Sequence, residues 1–369
     1  MTPCDTAGPG EPLLRLFERH GCGRVDTPIL QPAELFLDLS GEDMRRRLFL
    51  TQDRGGAEFC LRPEYTIPVC RHHIQSGRRL GEYCYLGPVF RQRDEGPGEF
   101  LQVGMESIGR TDICPADADA LGLALDGYGL VESGAHEVRL GDMGLLAAVF
   151  AAVALPVRST RRIVRALAAG HGHAAAVQPE SPSSQSSYDG LLAAIQGQDH
   201  HAARAFVEDV ISIAGLAQVG GRSAGEIAER FLSKAENRSR DMPERDRRVL
   251  RRYLEIRGDL DEVSDAVRAL ARDEALDLAE ALDRFDERTG FIAARGIELS
   301  RLTFAADFVR TLDYYTGLIF EVRRAEQPGG WYVAAGGRYD RLLEHLGGSG
   351  PVPAVGCSFW LDRSAEDGR

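Results

Sequence analysis

The sequence predicts an α+β protein, in which one mainly antiparallel sheet is flanked by helices and interrupted by an all-helical insertion. Three observations carry that expectation. Short β-type runs broken by turns fill residues 58–108. From about 156 to 298 the composition shifts to Ala, Arg, Asp and Glu with few aromatics. β-type patterning then resumes at 301–323, 331–335 and 354–361. Two β-rich segments on either side of a helical stretch can close into one layer in space. The expected division is a discontinuous core of residues 1–155 and 299–369 around a helical domain of 156–298.

The elements follow in order. Leu13, Leu14, Leu16 and Phe17 fall at helical spacing within 11–24, which leads into the strand-like RVDTPILQP. EFCLRPE, EYCYLGPVFRQR and EFLQVGMESIG are the β-type runs, and 115–132 and 143–155 return to helical periodicity. SPSSQSSYDG at 181–190 reads as a loop. Val263, Val267 and Leu270 share one helical face, and a helix capped near Asp273 continues with Leu278, Leu282 and Phe285. No internal repeat is visible.

A chain of 369 residues exceeds one ordinary domain, and 43% hydrophobic with 27% charged residues is a globular balance. The net charge of −12 offers no broad basic surface for nucleic acid. Seven cysteines, at 4, 22, 60, 70, 84, 114 and 357, form no CxxC pair, which disfavours a disulfide framework or a zinc site. The first residues lack a signal-peptide pattern, and LLAAVFAAVAL at 145–155 is too short to span a bilayer. The expected location is cytoplasmic.

Residues able to carry chemistry lie mostly in the β-type runs. In FLQVGMES, alternation puts Leu101, Val103 and Met105 on one face and Gln102, Gly104 and Glu106 on the other. The second face is either the solvated side of a sheet or a pocket floor where Gly104 leaves room for a ligand. In LRPEYTIPV, Pro63 and Pro68 exclude a regular central strand, so Glu64 and Thr66 are expected on a rigid turn. Arg91 ends a strand, where a guanidinium suits a carboxylate or phosphate or is simply a surface charge. In RTLDYYTGLIFE, strand geometry would send Tyr314 and Tyr315 to opposite faces, near Arg310 and Asp313. AAGGRYDRLLEHLGG reads as a strand-to-helix turn with Arg338 and Tyr339 in structural packing. His171, His173, His200 and His201 have no partners at ligand spacing and read as surface residues. No nucleophile elbow, P-loop or dinucleotide fingerprint occurs.

Together LRPEYT, PVFRQR with GEFLQVGMES, RTLDYYTGLIFE, AAGGRYDRLLEHLGG and PAVGCSFWLDR resemble the catalytic core of histidyl-tRNA synthetase, a class II aminoacyl-tRNA synthetase fold. The resemblance spans roughly residues 10–363. It implies a histidine pocket in which Glu64, Thr66 and Gln102 hold the α-amino group and Arg310 lies near the carboxylate. Glu106 and Tyr315 would bond the imidazole, with Tyr314 packed behind. These groups suit the ligand: an ammonium takes oxygens, a carboxylate takes a guanidinium, and an imidazole needs a partner for each nitrogen.

The departures from that family fall on its nucleotide side. Arg91 and Arg363 match its arginines. Arg93 stands where a glutamate is usual, with Asp94 as a substitute only if the turn shifts register. The motif 2 loop shrinks to about DEGPG, and Trp360 replaces a small glycine beneath the adenine. No segment corresponds to the anticodon-binding domain. This selective loss resembles the synthetase-like regulatory subunits of ATP phosphoribosyltransferase, in histidine biosynthesis. That likeness implies a chain with no chemistry, cofactor or metal of its own, dimeric, binding no tRNA and no membrane. It would assemble four plus four with the short catalytic subunit, activate it and take part in feedback inhibition by L-histidine. The alternative is a histidine-activating ligase or truncated synthetase.

Overall fold

The computed structural model describes residues 8, 10–39, 45–93, 96–170, 172, 177, 218–219, 222–223, 242–310, 314–326 and 332–363. Cys4, Asp94, Asp313, the 181–190 stretch and the four histidines 171, 173, 200 and 201 lie outside them, as does the Arg363 side chain.

Helix α1 (Gly10–Arg19) buries Leu13, Leu14, Leu16 and Phe17 on one face. Strands β1 (Gly23–Arg24) and β2 (Leu30–Pro32), helix α2 (Glu34–Leu39) and strands β3 (Leu50–Gln52) and β4 (Glu58–Leu61) follow. β2, β4 and β3 form a small sheet of their own. Helix α3 (Thr66–Ser76) tolerates Pro68 because a first-turn residue donates no intrahelical hydrogen bond. Gly77, at φ +64°, closes it with a left-handed turn. The long hairpin of β5 (Gly81–Phe90) and β6 (Glu99–Ile108) leads to α4 (Ile113–Val131), β7 (His136–Asp142), α5 (Met143–Ala152) and α6 (Val157–Ala168).

Strands β8 (Gln218–Val219) and β9 (Arg222–Ser223) pair with each other. Then come α7 (Glu244–Leu254), β10 (Arg257–Gly258), α8 (Leu260–Glu274), α9 (Ala279–Ala294), β11 (Leu302–Ala305), β12 (Leu318–Arg324), β13 (Tyr332–Arg338), α10 (Leu342–His345) and β14 (Ala354–Trp360).

Nine strands make the main sheet in the order β1-β5-β6-β14-β13-β12-β7-β11-β10. All neighbours are antiparallel except β1 with β5 and β11 with β7. The two β-rich segments therefore meet in one sheet, as the sequence predicts. Their seam is β6 against β14, which aligns Gln102 with Trp360, Gly104 with Ser358 and Glu106 with Gly356. On one face α1 and α4 pack through Phe17 on Phe359, with ring centroids 6.3 Å apart, and through Ala116 and Ala120 on Val355. The other face carries Tyr65, Ile67, Tyr83, Tyr85, Tyr314, Tyr339 and Trp360 in a single core cluster.

The domain limits differ from those read in the composition. Residues 1–176 with 249–369 form one compact unit and 177–248 another. Residues 249–298 join the first unit because their helices carry core side chains. Phe285 of α9 meets Phe304 edge-on at 5.5 Å, and Arg288 bonds the buried Asp117 and Asp142. The 156–298 segment is also not purely helical, since β8, β9 and β10 lie within it. Nor does Asp273 cap a helix. Asp259 caps α8, accepting from the Glu262 amide at 2.9 Å, whereas Asp273 sits in its last turn and pairs with Arg252 at 2.7 Å.

Candidate functional site

Glu64 and Thr66 lie where the chain leaves the small sheet and enters α3. The Glu64 carboxylate accepts from the amides of Thr66 (2.7 Å) and Ile67 (2.9 Å), so it caps the helix that follows it. That contact fixes both side chains under the sheet instead of on an exposed loop. Burial pushes the Glu64 carboxyl up, against the Ile67 amide and the Arg91 charge.

Gln102 and Glu106 project from β6 into the same space, 2% and 1% exposed. Their face is thus a pocket floor and not a solvated side. Three hydroxyls donate to Glu106: Thr66 at 2.7 Å, Tyr85 at 3.2 Å, and Tyr339. No described cation bonds it, and burial pushes its pKa to about 8. Gly356, across the strand, is required there because a Cβ would lie on the Glu106 carboxylate. Gly104 plays another part than the sequence suggests. The space beside it belongs to the Tyr85 phenol, whose oxygen would be 2.4 Å from a Cβ, so it is filled from within the sheet.

The tyrosine pair also departs from expectation. Tyr314 and Tyr315 precede β12 in irregular backbone and do not alternate across a strand. Their ring centroids are 4.9 Å apart and both line the pocket, Tyr314 the more buried. Arg310 completes that wall. Its Nη1 bonds Glu321 at 3.0 Å, and its guanidinium lies 5.0 Å from the Tyr332 ring centre and 5.9 Å from that of Tyr315. Burial opposes its charge, yet Tyr315, Tyr332 and Glu321 hold its pKa above the usual arginine value.

Glu64, Thr66, Gln102, Glu106, Arg310, Tyr314 and Tyr315 therefore converge on one pocket, with Arg91 and Trp360 at its edge. Among the described residues, the buried side-chain amide oxygen of Gln102 and the buried Nε–H of Arg310 have no hydrogen-bond partner. The cavity is narrow, about 40 Å³.

The nucleotide-side positions are occupied by side chains bonded to one another. Arg93 reaches Asp362 at 2.6 Å and covers the Phe100 ring at 3.7 Å. The Trp360 indole meets Tyr332 edge-on at 4.8 Å. Arg91 donates to the Pro63 carbonyl at 2.7 Å.

Sequence reasoning missed Tyr85, Tyr332 and Tyr339. Tyr339 was expected in structural packing, but it lines the pocket and bonds Glu106. Tyr85 and Tyr332 reach the site by sheet register and by the return of a hairpin, neither of which is a local pattern. The tyrosine after GGR, next to a strand end, was the one available signal.

Residues 10–208 and 222–363 match the family described as histidyl-tRNA synthetase. Proteins named ATP phosphoribosyltransferase regulatory subunit from Brucella canis and Brucella ovis are each 40% identical over 347 residues, covering 92% of this chain and 91% of theirs. A Bacillus halodurans structure titled ATP phosphoribosyltransferase regulatory subunit/histidyl-tRNA synthetase superposes with a TM-score of 0.69 at 20% identity, over 98% of this chain and 78% of that one. A histidyl-tRNA synthetase from Nostoc sp. does so at 0.65 and 15% identity, over 98% and 71%. At those identities the two structures speak for the class II synthetase-like fold.

Proposed function

The chain belongs to the histidyl-tRNA synthetase family, and from that premise we propose that it serves as the regulatory subunit of ATP phosphoribosyltransferase and binds L-histidine in the pocket on β6. One observation carries the ligand assignment. Among the described residues, the Gln102 side chain of this pocket keeps an acceptor and Arg310 a cationic donor without a partner. An α-amino acid supplies an ammonium for the first and a carboxylate for the second. Glu106 and Tyr315 would take the imidazole, and the ligand's positive charge would offset the buried Glu106 carboxylate.

Regulation would act through the walls of the site. A ligand that bridges Gln102, Glu106 and Arg310 favours one arrangement of those walls. Its binding shifts the population toward that form, and an interface sensitive to it carries the signal to the catalytic partner. Where the coupling acts on binding, the partner's substrates weaken histidine binding in return. The occupied nucleotide side, with Trp360 on Tyr332 and Arg93 on Asp362, supports a role without adenylation. The proposed assembly is a dimer of this chain within a four-plus-four complex with the short catalytic subunit, in the cytoplasm and without tRNA.

Co-purification with a short catalytic ATP phosphoribosyltransferase, followed by assay with and without histidine, tests the proposal. The expected result is a complex whose activity exceeds that of the catalytic subunit alone and falls with histidine. Histidine-dependent ATP–pyrophosphate exchange by the isolated chain would overturn it in favour of a histidine-activating ligase.

A further inference from the structure

Arg310 borders two cavities. On one side is the pocket with Gln102 and Glu106, and on the other a cavity of about 350 Å³ lined by Arg139, Asp307, Glu321 and Arg323. Glu321 lines only the second, so it approaches the guanidinium from behind. Its oxygens are divided, Oε1 to Arg310 at 3.0 Å and Oε2 to Arg323 at 2.7 Å. The Arg310 and Glu321 side chains are 10% and 8% exposed, so the pair is shielded from water. The Tyr332 ring, which borders both cavities, lies under the guanidinium, and Trp360 packs on Tyr332 in turn.

From this arrangement we infer that Glu321 is a positioning residue for ligand carboxylate recognition, with Tyr332 bracing the face of the same guanidinium. The inference rests on the amino-acid pocket proposed above. A long side chain with five donors is useful only if one edge is held toward the ligand. Glu321 engages Nη1 from the rear, and the Nε edge has no partner among the described residues. The ligand class follows: a small zwitterion with a free α-carboxylate is favoured over the corresponding amine. Trp360 thereby has a purpose beyond filling a nucleotide slot, because it backs the ring that braces Arg310.

Calorimetry with L-histidine and with histamine, which lacks the carboxylate, separates this role from a general structural one. The parent chain should prefer histidine. Glu321→Gln should lower that preference about tenfold or more while leaving histamine affinity within about twofold. Glu321→Asp, which keeps the charge, should restore part of the preference. Tyr332→Leu should lower it as well, and serves if Glu321→Gln does not fold. An unchanged histidine-to-histamine ratio in the folded variants overturns the inference and leaves the pocket assignment standing. A raised ratio overturns it by making Glu321 a competitor for Arg310. A folded parent that binds neither compound overturns the pocket assignment itself, and the inference with it.

Discussion

Asp117, Asp142, Arg288 and Arg338 form one buried polar cluster, and Glu64, Gln102 and Glu106 with their surrounding hydroxyls form another. The first is closed on itself. Arg338 bonds Asp117 at 2.7 Å, Asp340 at 2.8 Å and the Ile113 carbonyl at 3.1 Å. Arg288 bonds Asp142 and reaches Asp117 at 3.5 Å, and Asp142 also caps α5 through the Leu145 amide at 2.9 Å. Burial works against both arginines, yet the facing carboxylates hold their pKa values above the usual one. In the second cluster, among the described residues, Glu106 has only hydroxyl partners and the Gln102 side-chain oxygen has none. A buried charge that is paired holds elements together. A buried carboxyl left with neutral donors is costly to ionise, and it keeps its proton until a cation arrives.

The sharpest way to break this contrast is Asp117→Ala. It strands Arg288 and Arg338 without one of their counter-charges, and should cost about 3–5 kcal/mol of stability in urea denaturation. Glu106→Gln should do the reverse. Histidine affinity should fall about tenfold to hundredfold by calorimetry, for the loss of a charge-assisted bond of about 1.5–3 kcal/mol, while stability is kept or improved. A loss of stability comparable to that of Asp117→Ala would show that Glu106 is structural.

The pH dependence sharpens the same point. The folded Glu106 carboxyl titrates near 8 against an ordinary 4.5, so between those values the native state holds a proton that the unfolded chain has released. Its contribution to stability therefore falls as the pH rises through that window, by at most about 1.4 kcal/mol per unit. Denaturation midpoints at pH 6, 7 and 8 should show this slope in the parent and lose it in Glu106→Gln. The smallest effect is expected at the half-buried Arg93–Asp362 pair, where Arg93→Ala should change stability by about 1 kcal/mol or less.

How much of this was legible in the sequence follows from the range of each interaction. Alternation in FLQVGMES located Gln102 and Glu106 on one face, and the prolines around Glu64 located the turn into α3, because both are local patterns. The tyrosine cage was hidden. Tyr85 is brought beside Gly104 by the pairing of β5 with β6, and Tyr339 is 233 residues from Glu106 in sequence. The arginine cluster was hidden for the same reason, with Asp117 and Arg338 separated by 221 residues. Composition misplaced the domain limits because it registers how polar a helix is and not where its few apolar side chains go. Helix α9 carries six charged residues in sixteen, yet Leu282, Phe285 and Ile292 are buried.

The position of β14 has a consequence for synthesis. It is the last strand of the sheet in sequence and lies between β6 and β13, with every residue buried. A ribosome-bound chain that has emerged only as far as Gly350 has two half-sheets, each with an unpaired edge open to other chains. Neither half contains the whole ligand pocket. The proposed histidine site would therefore be complete only after Trp360 has cleared the exit tunnel, and a truncation before Ala354 should accumulate as aggregate and not as a smaller, partly active protein.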